Sequence, residues 1–141
     1  MKLGLISCSK TKASLPCKAK EMYCRSTSFN LKVKYAEKHL DDWMILSTKY
    51  GVIDKDRIIE PYELCLSTHR YSEKRSVIVM NKDHIRKWKT YVSSQILSLR
   101  ASIVYLTSKP YWEDLPKGET PLGGMKFGEQ LKWLKESSNV I

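Results

Sequence analysis

Apolar positions along the chain alternate between short runs and helical spacing. Leu3, Leu5 and Ile6 lie in an apolar run over 2–7 that ends in Ser7, Cys8 and Ser9, the pattern of a buried strand entering a loop. Residues 8–16 are rich in Ser, Thr and Lys and close on Pro16, which predicts an irregular loop. Beyond the N-cap hydroxyls of Ser26-Thr27-Ser28, the residues Phe29, Val33, Ala36 and Leu40 recur every three or four positions and predict a helix over 29–40. Trp43-Met44-Ile45-Leu46-Ser47 reads as a second buried strand, broken at Lys49-Tyr50-Gly51. Residues 54–72 contain Pro61 and read as a long connection holding at most a short helix. Ile85, Trp88, Val92, Ile96 and Leu99 predict a helix over 82–99, and Ile103 to Leu106 form the centre of a third strand over 101–107. After turns at Pro110, Pro116 and Pro121, a last helix is expected over 126–136, with Phe127, Leu131 and Leu134 on one face.

Strands separated by helices are the signature of βαβ crossovers, which place their strands in parallel. At 141 residues the chain is long enough for one sizeable core, and neither an internal repeat nor a low-complexity tract divides it. The expected fold is a single α/β domain over 1–141, a three-layer sandwich with a mainly parallel central sheet.

Charge changes this picture. The chain carries 25 Lys/Arg against 15 Asp/Glu, a formal net charge of +10. Residues 1–40 hold nine of the basic and two of the acidic residues, so most of the excess lies in the first third. A concentrated positive field attracts polyanions, nucleic acid foremost, although a lysine-rich surface also serves plain solubility. Lysines outnumber arginines, which suits contact with phosphate better than bidentate reading of bases. No apolar run approaches the roughly 18 residues of a membrane span, and the opening Met1-Lys2-Leu3-Gly4-Leu5-Ile6 is too short for a secretory leader. A cytoplasmic protein without membrane contact is expected. The four cysteines (Cys8, Cys17, Cys24, Cys65) include no Cys-x-x-Cys pair, so neither a structural zinc site nor any other metal or cofactor is expected.

Ligands of open parallel sheets bind outside the carboxyl ends of the strands. Three such ends follow from the pattern: Ser7-Cys8-Ser9-Lys10-Thr11-Lys12, Ser47-Thr48-Lys49-Tyr50-Gly51 and Thr107-Ser108-Lys109-Pro110-Tyr111. Each pairs hydroxyls with lysine, and their convergence would make a rim suited to a phosphate or nucleotide. Ser, Thr and Lys also populate ordinary loops. Cys8, flanked by Lys10 and Lys12, is either a thiolate stabilised by those cations or a small packed residue. A phosphatase-like Cys-x5-Arg loop is excluded, because that position is Ser14. His39, His69 and His84 lie in no metal or triad spacing, and no Walker or dinucleotide fingerprint is present. Gly123-Gly124 would let backbone approach a phosphate or serve a simple turn. Glu60, in Glu60-Pro61-Tyr62, is the acidic candidate: buried beside a lysine it would act as a general base, or it would form a structural salt bridge.

The segments Leu5 to Lys12, Ala19 to Phe29 with Tyr23 and Ser26, Trp43 to Ile53, Glu60-Pro61-Tyr62 and Pro121 to Leu134 together resemble a family of short, mostly uncharacterised bacterial and phage proteins. Its members more often carry histidine where this chain has Tyr50. The Cys-Ser-Lys-Thr-Lys and Tyr-x-x-Ser patterns are also similar, more faintly, to the uracil-DNA-glycosylase-like domain of archaeosine synthases. That resemblance implies a three-layer α/β sandwich with its active rim at the strand ends and a nucleobase theme. The 8–16 loop has no carboxylate matching a glycosylase's water-activating aspartate.

The combined expectation is a nucleic-acid- or nucleobase-directed protein acting at an N-glycosidic bond. Ser7, Cys8, Ser9, Lys10, Lys12, Tyr23, Ser26, Ser47, Lys49 and Tyr62 would bind phosphate or nucleic acid, with Glu60 and Tyr50 as catalytic candidates. The alternatives are a non-catalytic DNA-binding or host-interaction module and a small nucleotide-binding enzyme.

Overall fold

The computed structural model describes residues 1–9, 12–62, 64–66 and 78–139. It is a mixed α/β structure with a mostly parallel four-stranded sheet. The elements are β1 (Lys2–Ser7), β2 (Cys17–Lys18), α1 (Ala19–Met22), α2 (Thr27–His39), β3 (Asp42–Ser47), β4 (Gly51–Ile53), β5 (Ile58–Ile59), β6 (Leu64–Cys65), β7 (Ile78–Val79), α3 (Lys82–Leu99), β8 (Ser102–Leu106), α4 (Lys109–Trp112) and α5 (Phe127–Asn139). The sheet order is β4-β3-β1-β8. β1 lies at the centre, parallel to β3 with Ile6 opposite Ile45, and parallel to β8 with Ile6 opposite Leu106.

Strand alternation divides the apolar residues between the two faces. Leu3 and Leu5 of β1 join Leu46, Ile103 and Tyr105 against Trp88, Val92 and Ile96 of α3. Ile6 joins Ile45, Val104 and Leu106 against Phe29 and Ala36 of α2. Gly4 lets α2 approach, since a Cβ there would stand 2.8 Å from the Leu40 side chain. α5 packs on α2 through Leu31, Leu122 and Leu134, with the Tyr35 and Trp133 ring centroids 5.0 Å apart. The helix starts follow the expected chemistry: Ser26 Oγ accepts from the Phe29 N–H at 3.2 Å, and Asn81 Oδ1 accepts from the His84 N–H at 2.8 Å.

Both outer strands of the sheet have their backbone groups covered. On β4, Gln95 of α3 accepts the Val52 N–H at 2.8 Å and donates to the Val52 carbonyl at 3.1 Å, as a neighbouring strand would. On β8, the segment at Glu119 takes the Tyr105 N–H at 2.8 Å and gives its own N–H to the Ile103 carbonyl at 2.9 Å. These pairings remove the open edges that invite association with other chains.

The expected strands and long helices are present within one to three residues of their predicted limits. The break at Lys49-Tyr50-Gly51 is corrected in its meaning: the chain reverses there and returns antiparallel as β4, Ser47 opposite Gly51. Gly51 has φ +78°, a left-handed conformation that glycine adopts without strain. The long connection over 54–72 forms no helix among its described residues. It forms β5, antiparallel to β2, with Ile59 buried and Ile58 exposed, an alternation too short to stand out in sequence. α1 and α4, four residues each, are likewise too short to show a helical period. No helix among the described residues is long and apolar enough to cross a membrane.

Gln95→Ala would leave both Val52 backbone groups without their protein partner. Chemical denaturation should register a loss of about 1–3 kcal/mol, whereas substitution of the exposed Ser98 should cost under about 0.5 kcal/mol.

Candidate functional site: hydroxyls, tyrosines and cations at the carboxyl edge of the sheet

β1 and β3 end side by side, and the turn after β3 carries a buried polar network. Ser47, fully buried, is its hub. Its Oγ accepts the backbone N–H groups of Lys49 at 3.2 Å and Tyr50 at 3.1 Å, which closes the turn into β4. With both lone pairs engaged, the hydroxyl proton points to Tyr62 Oη, 2.8 Å away. Tyr62 Oη and Tyr23 Oη share a further hydrogen bond at 2.6 Å. The Ser47 carbonyl accepts the Trp88 indole N–H at 2.9 Å, tying this turn to α3. Burial raises the pKa of both Tyr23 and Tyr62 well above the ordinary phenol range, and the nearby Cys8 adds to the shift. Both phenols are neutral hydrogen-bonding groups at physiological pH.

Cys8 follows β1 and is held by its N–H to the Leu46 carbonyl at 2.9 Å. Its Sγ lies 3.7 Å from Thr48 Oγ1 and 3.9 Å from Tyr111 Oη. Thr48 gives its own proton to the Leu64 carbonyl at 2.9 Å, so the thiol donates to Thr48. Cys8 therefore packs as a thiol in a hydroxyl-lined niche.

Towards solvent the network becomes aromatic and cationic. The Tyr50 and Tyr62 rings meet edge to face, centroids 5.7 Å apart. Lys12 Nζ stands 4.7 Å from the Tyr62 centroid, and Lys49 Nζ lies 6.0 Å from Tyr62 and 5.1 Å from Tyr50. The Arg57 guanidinium is 5.1 Å from Tyr50. Elsewhere several cations are paired: Lys2 with Glu119, Lys20 with Asp56, Lys55 with Asp42 and Arg86 with Asp83. None of Lys12, Lys49 and Arg57 forms an ion pair among the described residues. Cations held over π-faces without a counter-carboxylate are available to an anion.

The structure thus brings together Cys8, Lys12, Tyr23, Ser47, Lys49, Tyr50 and Tyr62. Ser7 ends β1 in a buried position opposite Leu46, and Ser9 lies in the turn beyond it. Lys10 and Thr11 lie outside the described residues, as does His69. One expectation is met, the cap at Ser26, and one is corrected, the burial of Glu60. The Ser26 hydroxyl caps α2 and is engaged by the Phe29 N–H, because a helix start leaves amides that need an acceptor. Glu60 is exposed rather than buried; Ile59 takes the inward position beside it, and the Glu60 backbone N–H meets Tyr50 Oη at 3.4 Å. Of the third strand end, Tyr111 reaches the site while Lys109 is exposed at the start of α4. Arg57, Thr48 and Trp88 are members that sequence reasoning did not select. Thr48 sat within a quoted motif, but Arg57 is brought in by the β4–β5 turn and has no local signal.

The fold and site define a mixed α/β protein with a cluster of tyrosines and cations at the carboxyl edge of a mostly parallel sheet. The model of a family of unknown function, DUF6884, matches residues 3–136, and the chain belongs to that family. No curated protein and no solved structure matches it.

Because the folded chain holds Tyr23 and Tyr62 protonated beyond the range in which unfolded phenols ionise, their contribution to stability is complete below pH about 10 and is lost as pH rises above it. Stability measured by denaturant should fall above pH about 10 with a slope of about 1.4 kcal/mol per pH unit for each such phenol. Tyr62→Phe should reduce that slope and cost about 1–3 kcal/mol at neutral pH, since Ser47 and Tyr23 lose their shared partner.

Proposed function

We propose that this chain is a nucleic-acid- or nucleobase-directed protein, with its ligand in the Ser47–Tyr50–Tyr62 pocket. The observation that carries the reading is the convergence of Lys12 and Lys49 on the Tyr50–Tyr62 pair. Phosphate needs cations that no carboxylate already neutralises, and a base needs an aromatic surface. Lys12 and Lys49 take the phosphate, and Tyr50, half-buried at the mouth, takes the base. Tyr62 and Tyr23 hold the floor in place through Ser47. The finer fold belongs to the same proposal: a three-layer sandwich with α2 and α5 over one face and α3 over the other, like the glycosylase-type domain that the Cys-Ser-Lys-Thr-Lys pattern resembles. So does a place in the bacterial or phage-infected cytoplasm.

The reaction that fits this setting is cleavage of an N-glycosidic bond. Water adds its oxygen at C1′, the bond to the base nitrogen breaks, and the departing base takes up the proton that the general base removed from the water. In this reading Glu60, whose backbone N–H meets Tyr50 Oη at 3.4 Å, supplies the carboxylate that takes the proton from water. A second reading, a binding module without catalysis, is favoured by the exposure of Glu60, since an exposed carboxylate has no burial to tune it.

Lys12→Ala with Lys49→Ala should lower affinity for a 5′-nucleotide roughly tenfold or more, as read by tyrosine or tryptophan fluorescence titration. Unchanged affinity would remove the pocket from consideration. Incubation with modified and unmodified DNA and RNA, followed by detection of free base and abasic sites, separates the two readings. Release that disappears in Glu60→Gln while binding persists supports cleavage, and binding without release supports the module.

A further inference from the structure

The three cations and two rings of the pocket are not merely close together; they alternate. Lys12 stands over Tyr62, Tyr62 and Tyr50 share Lys49, and Tyr50 carries Arg57. The order along this path is cation, ring, cation, ring, cation. Its outer end is the more open: Lys49 and Arg57 are exposed, Lys12 and Tyr50 are half-buried, and Tyr62 is buried.

We infer that this ladder is a track for a single-stranded stretch of nucleic acid, and that the ligand of the pocket is a strand rather than a free mononucleotide or a duplex. The inference rests on the reading given under Proposed function and narrows it to a substrate class. Phosphates of a nucleoside triphosphate are contiguous and call for clustered cations. Phosphates of a strand are separated by nucleosides, and here the cations are separated by rings. Bases in a duplex hide their faces in the stack, whereas a single strand presents them to aromatic side chains. Tyr50 is set back from the surface and is reached by an unstacked base.

The ladder also supplies a means of exchange. In the free protein Lys49 and Arg57 rest on the Tyr50 ring, at 5.1 Å each. When a strand arrives these cations transfer to its phosphates and a base takes the ring face they leave. Cation–π contacts at exposed sites are weak, so little opposes the exchange. The single turn at Ser47 holds the start of the ladder, because the same hydroxyl fixes the Tyr50 backbone and the Tyr62 phenol.

The test is a fluorescence-anisotropy titration of the full chain with labelled hexathymidylate, with thymidine monophosphate, thymidine triphosphate and a hexamer-containing duplex as competitors. The single strand is expected to bind at least tenfold tighter than each of the others. Its log affinity should fall against log salt with a slope of about −2, from three phosphate contacts at about 0.7 each. Arg57→Ala and Lys12→Ala should each reduce the slope by about 0.7, and Tyr50→Ala should weaken binding roughly tenfold while Tyr50→Phe retains it. Circular dichroism melts of each variant establish that it is folded before its affinity is compared. Equal binding of monophosphate or triphosphate, still lost in the Lys12/Lys49 double variant, overturns the track and leaves the nucleotide pocket standing. Tighter binding of duplex, or a slope unmoved by Arg57→Ala, likewise overturns the track alone. Absence of binding to every probe overturns both.

Discussion

Ser47 binds the end of a central strand, the turn into an antiparallel edge strand, a buried tyrosine and a helix on the far face into one unit. Its hydroxyl receives two backbone amides and gives its proton to Tyr62, while its carbonyl takes the Trp88 indole. In a fully buried position each of these groups would otherwise be desolvated without compensation, which costs several times what a satisfied hydrogen bond contributes. Direction at the hub follows from the count of lone pairs: with both amides bound, Ser47 gives its proton to Tyr62. That fixed polarity holds Tyr62 in a single orientation, and Tyr62 is the ring around which Lys12, Lys49 and Tyr50 are arranged.

Electrostatics in this molecule are local rather than global. A formal charge of +10 describes a lysine-rich chain, yet part of that charge is neutralised by surface pairs such as Lys55 with Asp42 and Lys20 with Asp56. Such pairs contribute little to stability when exposed, but they remove their cations from competition for a ligand. At the carboxyl edge the cations rest on π-faces instead. An aromatic quadrupole holds a cation in place without cancelling its charge, so the site keeps its attraction for an anion.

The candidate site was legible wherever a short motif carried both the strand end and its chemistry. Ser47, Lys49 and Tyr50 stand together after an apolar run, and Cys8 and Lys12 stand after another, so the strand-end rule picked them out. Glu60 shows the limit of such reasoning. An acidic residue next to an apolar pair looks buried in sequence, but strand alternation turned Ile59 inward and left the carboxylate in solvent. Ser26 was legible as the cap of α2, since a helix start needs an acceptor for the Phe29 amide. Arg57 had no local signal, since only the reversal at Gly51 returns the chain far enough for it to meet Tyr50.

By itself the sequence determined the mixed α/β class, the central strand, the two long helices and the concentration of basic residues near the start of the chain. These are consequences of periodicity and composition, which act through neighbours a few positions apart. Tertiary structure alone decided which tyrosine rings meet, which cations rest on those rings, which groups the Ser47 hydroxyl joins, and how Gln95 and Glu119 cover the edges of the sheet. Those outcomes depend on contacts between residues up to about a hundred positions apart, as between Cys8 and Tyr111, and no local pattern encodes a distance that the closing of the sheet creates.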